Sequence, residues 1–208
     1  MLVRHVLDTH PGDFHITACD RSPAMVNAAT ERSKGSDDVD LTVARIEDMP
    51  FPDSHFDVVV AMGVLEYTDI GDALREIARV VRPGGMVVAT MLNPASPYRL
   101  FEWCVYWPAL RLLGRVERLL GVTRHGAPAS GIRAVRLGRL RRMLREAGLS
   151  PQDAVHYDVT TLLPPLDRLV RRRQWYNHPE RTVSRGALRW LGTAYLVTAR
   201  RGQPSARQ

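Results

Sequence analysis

The chain has 208 residues, 45% of them apolar, enough for one domain with a real core. No run of 18 or more uncharged apolar residues offers a membrane span, and two cysteines, Cys19 and Cys104, are too few for a disulfide framework. The formal charge of +7 is local, because residues 111–145 hold ten arginines against one acid, Glu117; that pattern reads as a solvated face and predicts no specific nucleic-acid partner.

The first residues, MLVRHVLDTHPGDF, lack the basic start and long apolar stretch of a secretory leader, so a cytoplasmic location is expected. Leu2, Val3, Val6 and Leu7 recur at helical spacing, and FHITACD then reads as a short β-branched strand ending at Asp20. Ser22 and Pro23 supply an N-cap and a first-turn proline for a helix carrying Met25, Val26 and Ala29. Val39–Ala44 is a second strand and Asp57–Met62 a third, the latter apolar on both faces as an interior parallel strand should be. Ala73, Leu74, Ile77, Ala78 and Val81 space a helix that stops at Arg82-Pro83-Gly84-Gly85, and Met86–Met91 is a further buried strand.

Residues 97–121 are helical in tendency and aromatic, and read as a lid. Leu137, Leu140, Met143, Leu144 and Ala147 stripe a helix ended by Gly148, and Ala154–Val159 with Gly192–Ala199 reads as a closing antiparallel pair around a poorly patterned stretch, 166–186. The expected organisation is a nucleotide-binding core over 1–96, a helical cap over 97–135, and a C-terminal helix and strand pair over 136–200. Alternation of strands and helices with short connectors predicts an α/β, doubly wound parallel sheet.

Ligands of such sheets bind at the carboxyl ends of the strands. The first such end is Asp20, a short acid able to accept both hydrogen bonds of a ribose diol, followed by Arg21 and Met25. The second is Arg45-Ile46-Glu47-Asp48, which can frame an adenine edge while Ile46 packs on its face. The third is Met62-Gly63-Val64-Leu65-Glu66-Tyr67, where Gly63 permits close backbone approach.

In order and spacing, EDMPFPDSHFDVVVAMGVLEY followed by ALREIARVVRPGGMVVAT resembles the class I S-adenosylmethionine-dependent methyltransferases, in particular the small-molecule branch of ubiquinone and menaquinone biosynthesis. The resemblance covers residues 1–95 and implies a Rossmann-like sheet with S-adenosyl-L-methionine as cofactor. It implies that Asp20 binds the ribose, that Ile46 lies beside the adenine, and that Met62, Gly63 and Leu65 floor the methionine end. It also implies that Phe51 plugs the sheet edge. Two departures stand out. Arg45 occupies the place where the family has an aspartate for the adenine amino group, leaving Glu47 or Asp48 to supply that contact. The first strand and its glycine-rich turn do not precede Leu2, so the chain reads as cut after the glycines. In the family order 3-2-1-4-5-7-6 that strand is central, and with strands about 4.8 Å apart its removal separates FHITACD from DVVVAM by nearly 10 Å. The two either close up in a rearranged sheet or leave two edges without partners.

Methyl transfer from a sulfonium asks mainly for in-line placement, with a base only where the acceptor loses a proton. Glu66, Tyr67 and His156 are the candidate catalytic residues, with Tyr157 and His125 further candidate bases; no metal set is expected. The aromatic lid favours a hydrophobic or ring-bearing small-molecule acceptor, and residues 97–121 also suit peripheral contact with a membrane surface. The alternative reading is a non-catalytic relic or partner subunit that binds through its basic, aromatic second half.

Overall fold

The structure, a computed structural model, describes residues 2–10, 12–34, 36, 38–119, 132–159 and 190–203. It opens with α1 (Leu2–Thr9), β1 (Ile16–Asp20), α2 (Pro23–Arg32) and β2 (Val39–Val43). β3 (Phe56–Ala61), a short 3-10 turn at Leu65–Tyr67, α3 (Ile70–Val80) and β4 (Val81–Leu92) follow. Then come α4 (Pro97–Phe101), a π-helical turn at Glu102–Tyr106, α5 (Trp107–Leu119), α6 (Leu137–Glu146), β5 (Leu149–Val159) and β6 (Gly192–Arg201).

The strands form two sheets. β1 and β2 pair in parallel, and a second sheet runs in the order β3-β4-β6-β5, with β3 and β4 parallel and β6 antiparallel to both of its neighbours. β1 and β3 do not pair, so the chain has not closed up into one rearranged sheet. β3 is consequently an edge strand of its sheet. Val58 and Val60, expected to be interior, are 45% and 46% exposed.

The core forms where periodicity and pleat agree. Ile70, Ala73, Leu74, Ile77 and Ala78 occupy one face of α3 at i, i+3, i+4, i+7 and i+8, and join Val81, Val87, Ala89 and Met91 of β4 with Leu140 and Leu144 of α6. Asp69 starts α3 by accepting hydrogen bonds from the Gly71 and Asp72 amides at 3.0 and 3.2 Å. The Asp72 amide first, then Arg133, hold the Asp69 carboxyl below its ordinary range, with the Gly71 amide adding to the effect. Tyr195 of β6 is fully buried, and its hydroxyl donates to the Val135 carbonyl at 2.6 Å. Among the side chains whose burial is described, none before Met49 falls in the buried class.

Several boundaries differ from expectation. β4 begins at Val81, so Arg82-Pro83-Gly84-Gly85 lies inside the strand instead of forming a turn before it. Val81 pairs with Phe56 and Met86 with Val58, and the bulge between them takes up the extra residues. Gly84 uses a positive φ of 79° there. Ser22 occupies the N-cap of α2 without a side-chain hydrogen bond; the local bond runs from its amide to Asp20. Gly148, with φ 80°, follows α6 as the sequence predicts. The expected stretch 166–186 and His125 lie outside the described residues.

Candidate functional site

β1 and β2 lie in register from Ile16↔Val39 to Asp20↔Val43, so both strands end at one level. The Ala44 amide donates to the Asp20 carbonyl at 3.1 Å, which sets Asp20 beside the chain that leads into Ile46. Two readings that were separate in the sequence, a ribose acid and an adenine frame, therefore occupy one edge. Asp20 is exposed; its Oδ1 accepts the Ser22 amide at 2.8 Å. Burial, followed by the neighbouring Asp20 charge, raises the Cys19 thiol above its ordinary value. Arg21 and Met25 are exposed at the start of α2.

Arg45 to Asp48 is a tight turn closed by the Asp48 amide donating to the Arg45 carbonyl at 3.1 Å. Arg45 turns its guanidinium to Glu47 at 3.4 Å, while Ile46 packs partly buried against the core. Asp48 is exposed. The proline-rich loop beyond is held from α3. Glu76 Oε1 accepts the Met49 amide at 2.8 Å, and Arg79 donates to the Met49 and Phe51 carbonyls at 3.0 and 2.8 Å. Arg79 also reaches Asp53 at 2.6 Å and Glu76 at 2.7 Å. Prolines alone do not fix this loop; a Glu-x-x-Arg pair three residues apart on α3 does. Its signal was present in ALREIARVV, but nothing in one helix says which loop it will clamp. Phe51 packs edge-on against Phe56, the first residue of β3, with ring centroids 5.1 Å apart.

At the end of β3, Gly63 takes a φ of 66° and its amide donates to Thr90 Oγ1 of β4 at 2.9 Å. A side chain would be strained at that angle, so the chain presents bare backbone where a ligand could approach. Met62 and Tyr67 are 51% and 54% exposed, whereas Leu65 is fully buried in the core and supports this end from behind. Glu66 is only 8% exposed, and its Oε2 is buried without a hydrogen-bond partner among the described residues. The Arg133 amide donates to the Glu66 carbonyl at 2.8 Å, and the Arg133 side chain to the Thr68 carbonyl at 3.0 Å. Sequence reasoning missed both Thr90 and Arg133, because their roles arise from contacts across 27 and about 65 positions.

His156 is not brought to this place. In the sheet it pairs with Tyr195, which pairs with Met91, so it stands roughly level with Gly63 but three strands away. That is about 14 Å at ordinary strand spacing. Its ring lies 5.7 Å from Tyr195, tilted by 52°. In the helical segment, Tyr98 and Ser96 are buried and anchor α4, while Leu100 and Leu112 are exposed. Among the described residues no helix is long and apolar enough to cross a membrane.

Residues 3–89 match the family described as "Methyltransferase domain". This segment, less than half of the chain, is similar to that methyltransferase family. A ubiquinone/menaquinone biosynthesis C-methyltransferase, UbiE, of Hahella chejuensis is 41% identical over 81 residues, 38% of this chain and 32% of that relative. UbiE of Geotalea daltonii is 32% identical over 108 residues, 50% of this chain and 45% of that relative. The matched segments thus span less than half the length of these relatives. Among solved structures, the 4+2 cyclase SpnF superposes with a TM-score of 0.59 at 19% identity, over 98% of this chain and 70% of its own. At that identity the likeness shows the fold alone, which is Rossmann-like. All three strand ends that the sequence marked fall inside the methyltransferase segment, so the family match and the geometry concern the same residues.

Proposed function

We propose that the chain is an S-adenosyl-L-methionine-dependent methyltransferase acting on a small, hydrophobic or aromatic acceptor. One observation carries the reading: Asp20 ends β1 opposite Val43, with the Ala44 amide bonded to its carbonyl two residues before Ile46, within the segment that matches the methyltransferase family.

The residues present fit an adenosyl group. Asp20 keeps Oδ2 for a ribose hydroxyl after Oδ1 has taken the Ser22 amide. Ile46 offers an apolar surface to one ring face. Glu47 is engaged by Arg45, so Asp48, exposed at the same turn, is the acid left to accept the adenine amino group. Gly63 gives backbone close approach at the methionine end. The cofactor supplies an activated methyl on a sulfonium. The chain positions donor and acceptor, and Glu66 and Tyr67, beside Gly63, are the groups placed to orient an acceptor or hold its proton. The curated relatives act in quinone biosynthesis as C-methyltransferases, which favours a hydroxylated ring as the acceptor.

Titration calorimetry with S-adenosylhomocysteine tests the cofactor half of this reading, and transfer of labelled methyl to a panel of phenols and quinols tests the acceptor half. Saturable binding with transfer supports it. Absence of heat at saturating ligand overturns it for this chain.

A further inference from the structure

We propose that the outer face of α6 docks on an anionic phospholipid bilayer. Residues 132–145 contain six arginines and no acid. Leu140 and Leu144 fix which side of the helix faces the core, so Arg139, Arg142 and Arg145 point outward, with Arg136 at the margin, and all four are exposed. Among the described residues none of these four has an ion-pair partner, whereas Arg133 is committed to Asp69 and Thr68. Glu146 is the one acid on the outer face. An exposed helix face dominated by arginines without ion-pair partners among the described residues is matched by a partner that presents many negative charges in a plane.

Lipid fits that surface better than nucleic acid. An interfacial lipid layer takes an apolar side chain beside the charges, which a phosphate backbone does not, and the exposed positions of α6, arginine, Gly138 and Glu146, carry no aromatic on which single-stranded bases could stack. Just before the helix, Ile132 is exposed and can enter the interfacial layer beside the charges. The surface also adjoins the candidate site: the Arg133 amide is bonded to the Glu66 carbonyl, so docking on α6 would bring the end of β3 close to the bilayer. The inference goes beyond the methyltransferase reading and does not require it, since vesicle binding is measured without cofactor or acceptor.

The test is co-sedimentation of the full chain with vesicles of phosphatidylcholine alone and of phosphatidylcholine with about one third phosphatidylglycerol, at low and high salt. Each arginine brought to an anionic surface strengthens partition on the order of 5-fold. The triple variant Arg139→Gln, Arg142→Gln, Arg145→Gln is therefore expected to lose on the order of 100-fold, and the corresponding Arg→Lys triple to retain binding. Should the glutamine triple fail to fold by circular dichroism, Arg142→Gln alone is expected to lose about 5-fold. Equal sedimentation with neutral vesicles, undiminished binding by the glutamine variants, or arginine-dependent binding to an oligonucleotide without vesicle binding would each overturn the proposal.

Discussion

Glu76 and Arg79 lie three residues apart on α3, joined at 2.7 Å, and between them they bond the backbone of the loop that carries Met49 and Phe51. Arg79, first, and then the Met49 amide hold the Glu76 carboxyl below its ordinary range. A lowered carboxyl contributes stability above the usual carboxylate range, and that contribution is lost as pH falls through and below it. Glu76→Gln is therefore expected to melt roughly 2–6 °C lower at neutral pH and to show a shallower decline in acid than the parent. Calorimetric melts from neutral pH down through the carboxylate range measure both; parallel curves would show that the ion pair does not hold the loop.

Asp20→Asn separates a turn acid from a ligand acid. Asparagine keeps an oxygen for the Ser22 amide, so the free protein should melt as the parent does. The charge that a ribose diol would bond is gone, and S-adenosylhomocysteine binding should weaken roughly 10- to 100-fold. Calorimetric affinity within twofold of the parent would confine Asp20 to the turn.

Tyr195→Phe leaves the Val135 carbonyl without its donor inside the core, at a cost of about 1–3 kcal/mol. Burial raises the Tyr195 phenol above its usual value of about 10. A group raised in this way stabilises the fold fully below its unfolded value and loses that contribution as pH climbs toward its folded value. Urea unfolding at neutral and strongly alkaline pH should thus show a steeper alkaline loss in the parent than in the phenylalanine variant.

Gly85→Ala should be among the most damaging small changes. A Cβ there meets Val81 Cγ2 at 2.8 Å and the carbonyls of Arg82 and Asp57 at 2.9 Å, all atoms of the β3–β4 pairing. A cost of about 1–3 kcal/mol is expected. Gly138→Ala in α6, with nothing within 4 Å, is the matched control and should be neutral or stabilising. Equal urea midpoints for the two variants would refute the assigned crowding.

Several elements were legible because each carried its own punctuation: Pro23 at the start of α2, β-branched residues at Ile16 and Thr17 of β1, Gly148 at the end of α6. The pairing of β5 with β6 was legible for the same reason, though both strands run longer than their apolar runs suggest. Arg82-Pro83-Gly84-Gly85 misled, since proline and glycine mark a turn locally while the neighbouring Phe56 draws the chain into a bulged strand. At the candidate site, strand ends alone marked Asp20 and the turn after β2 as neighbours, which the register of β1 with β2 agrees with. Thr90, Arg133 and the Arg79 clamp could not, because a hydroxyl or guanidinium announces its partner only once the chain has folded around it.

That none of the side chains with described burial before Met49 is buried has a thermodynamic corollary. The segment that holds Asp20 meets the core only through partly buried side chains such as Cys19, so its opening free energy should sit well below that of β4 and β6. Amide hydrogens of β1 and β2 are expected to exchange with solvent much faster than those of Val87 or Val197, and a nucleotide that bridges Asp20 to the chain beyond Ala44 should slow the former while leaving the latter unchanged. Occupancy and order would then be one equilibrium, with the ligand acting as part of the missing cohesion.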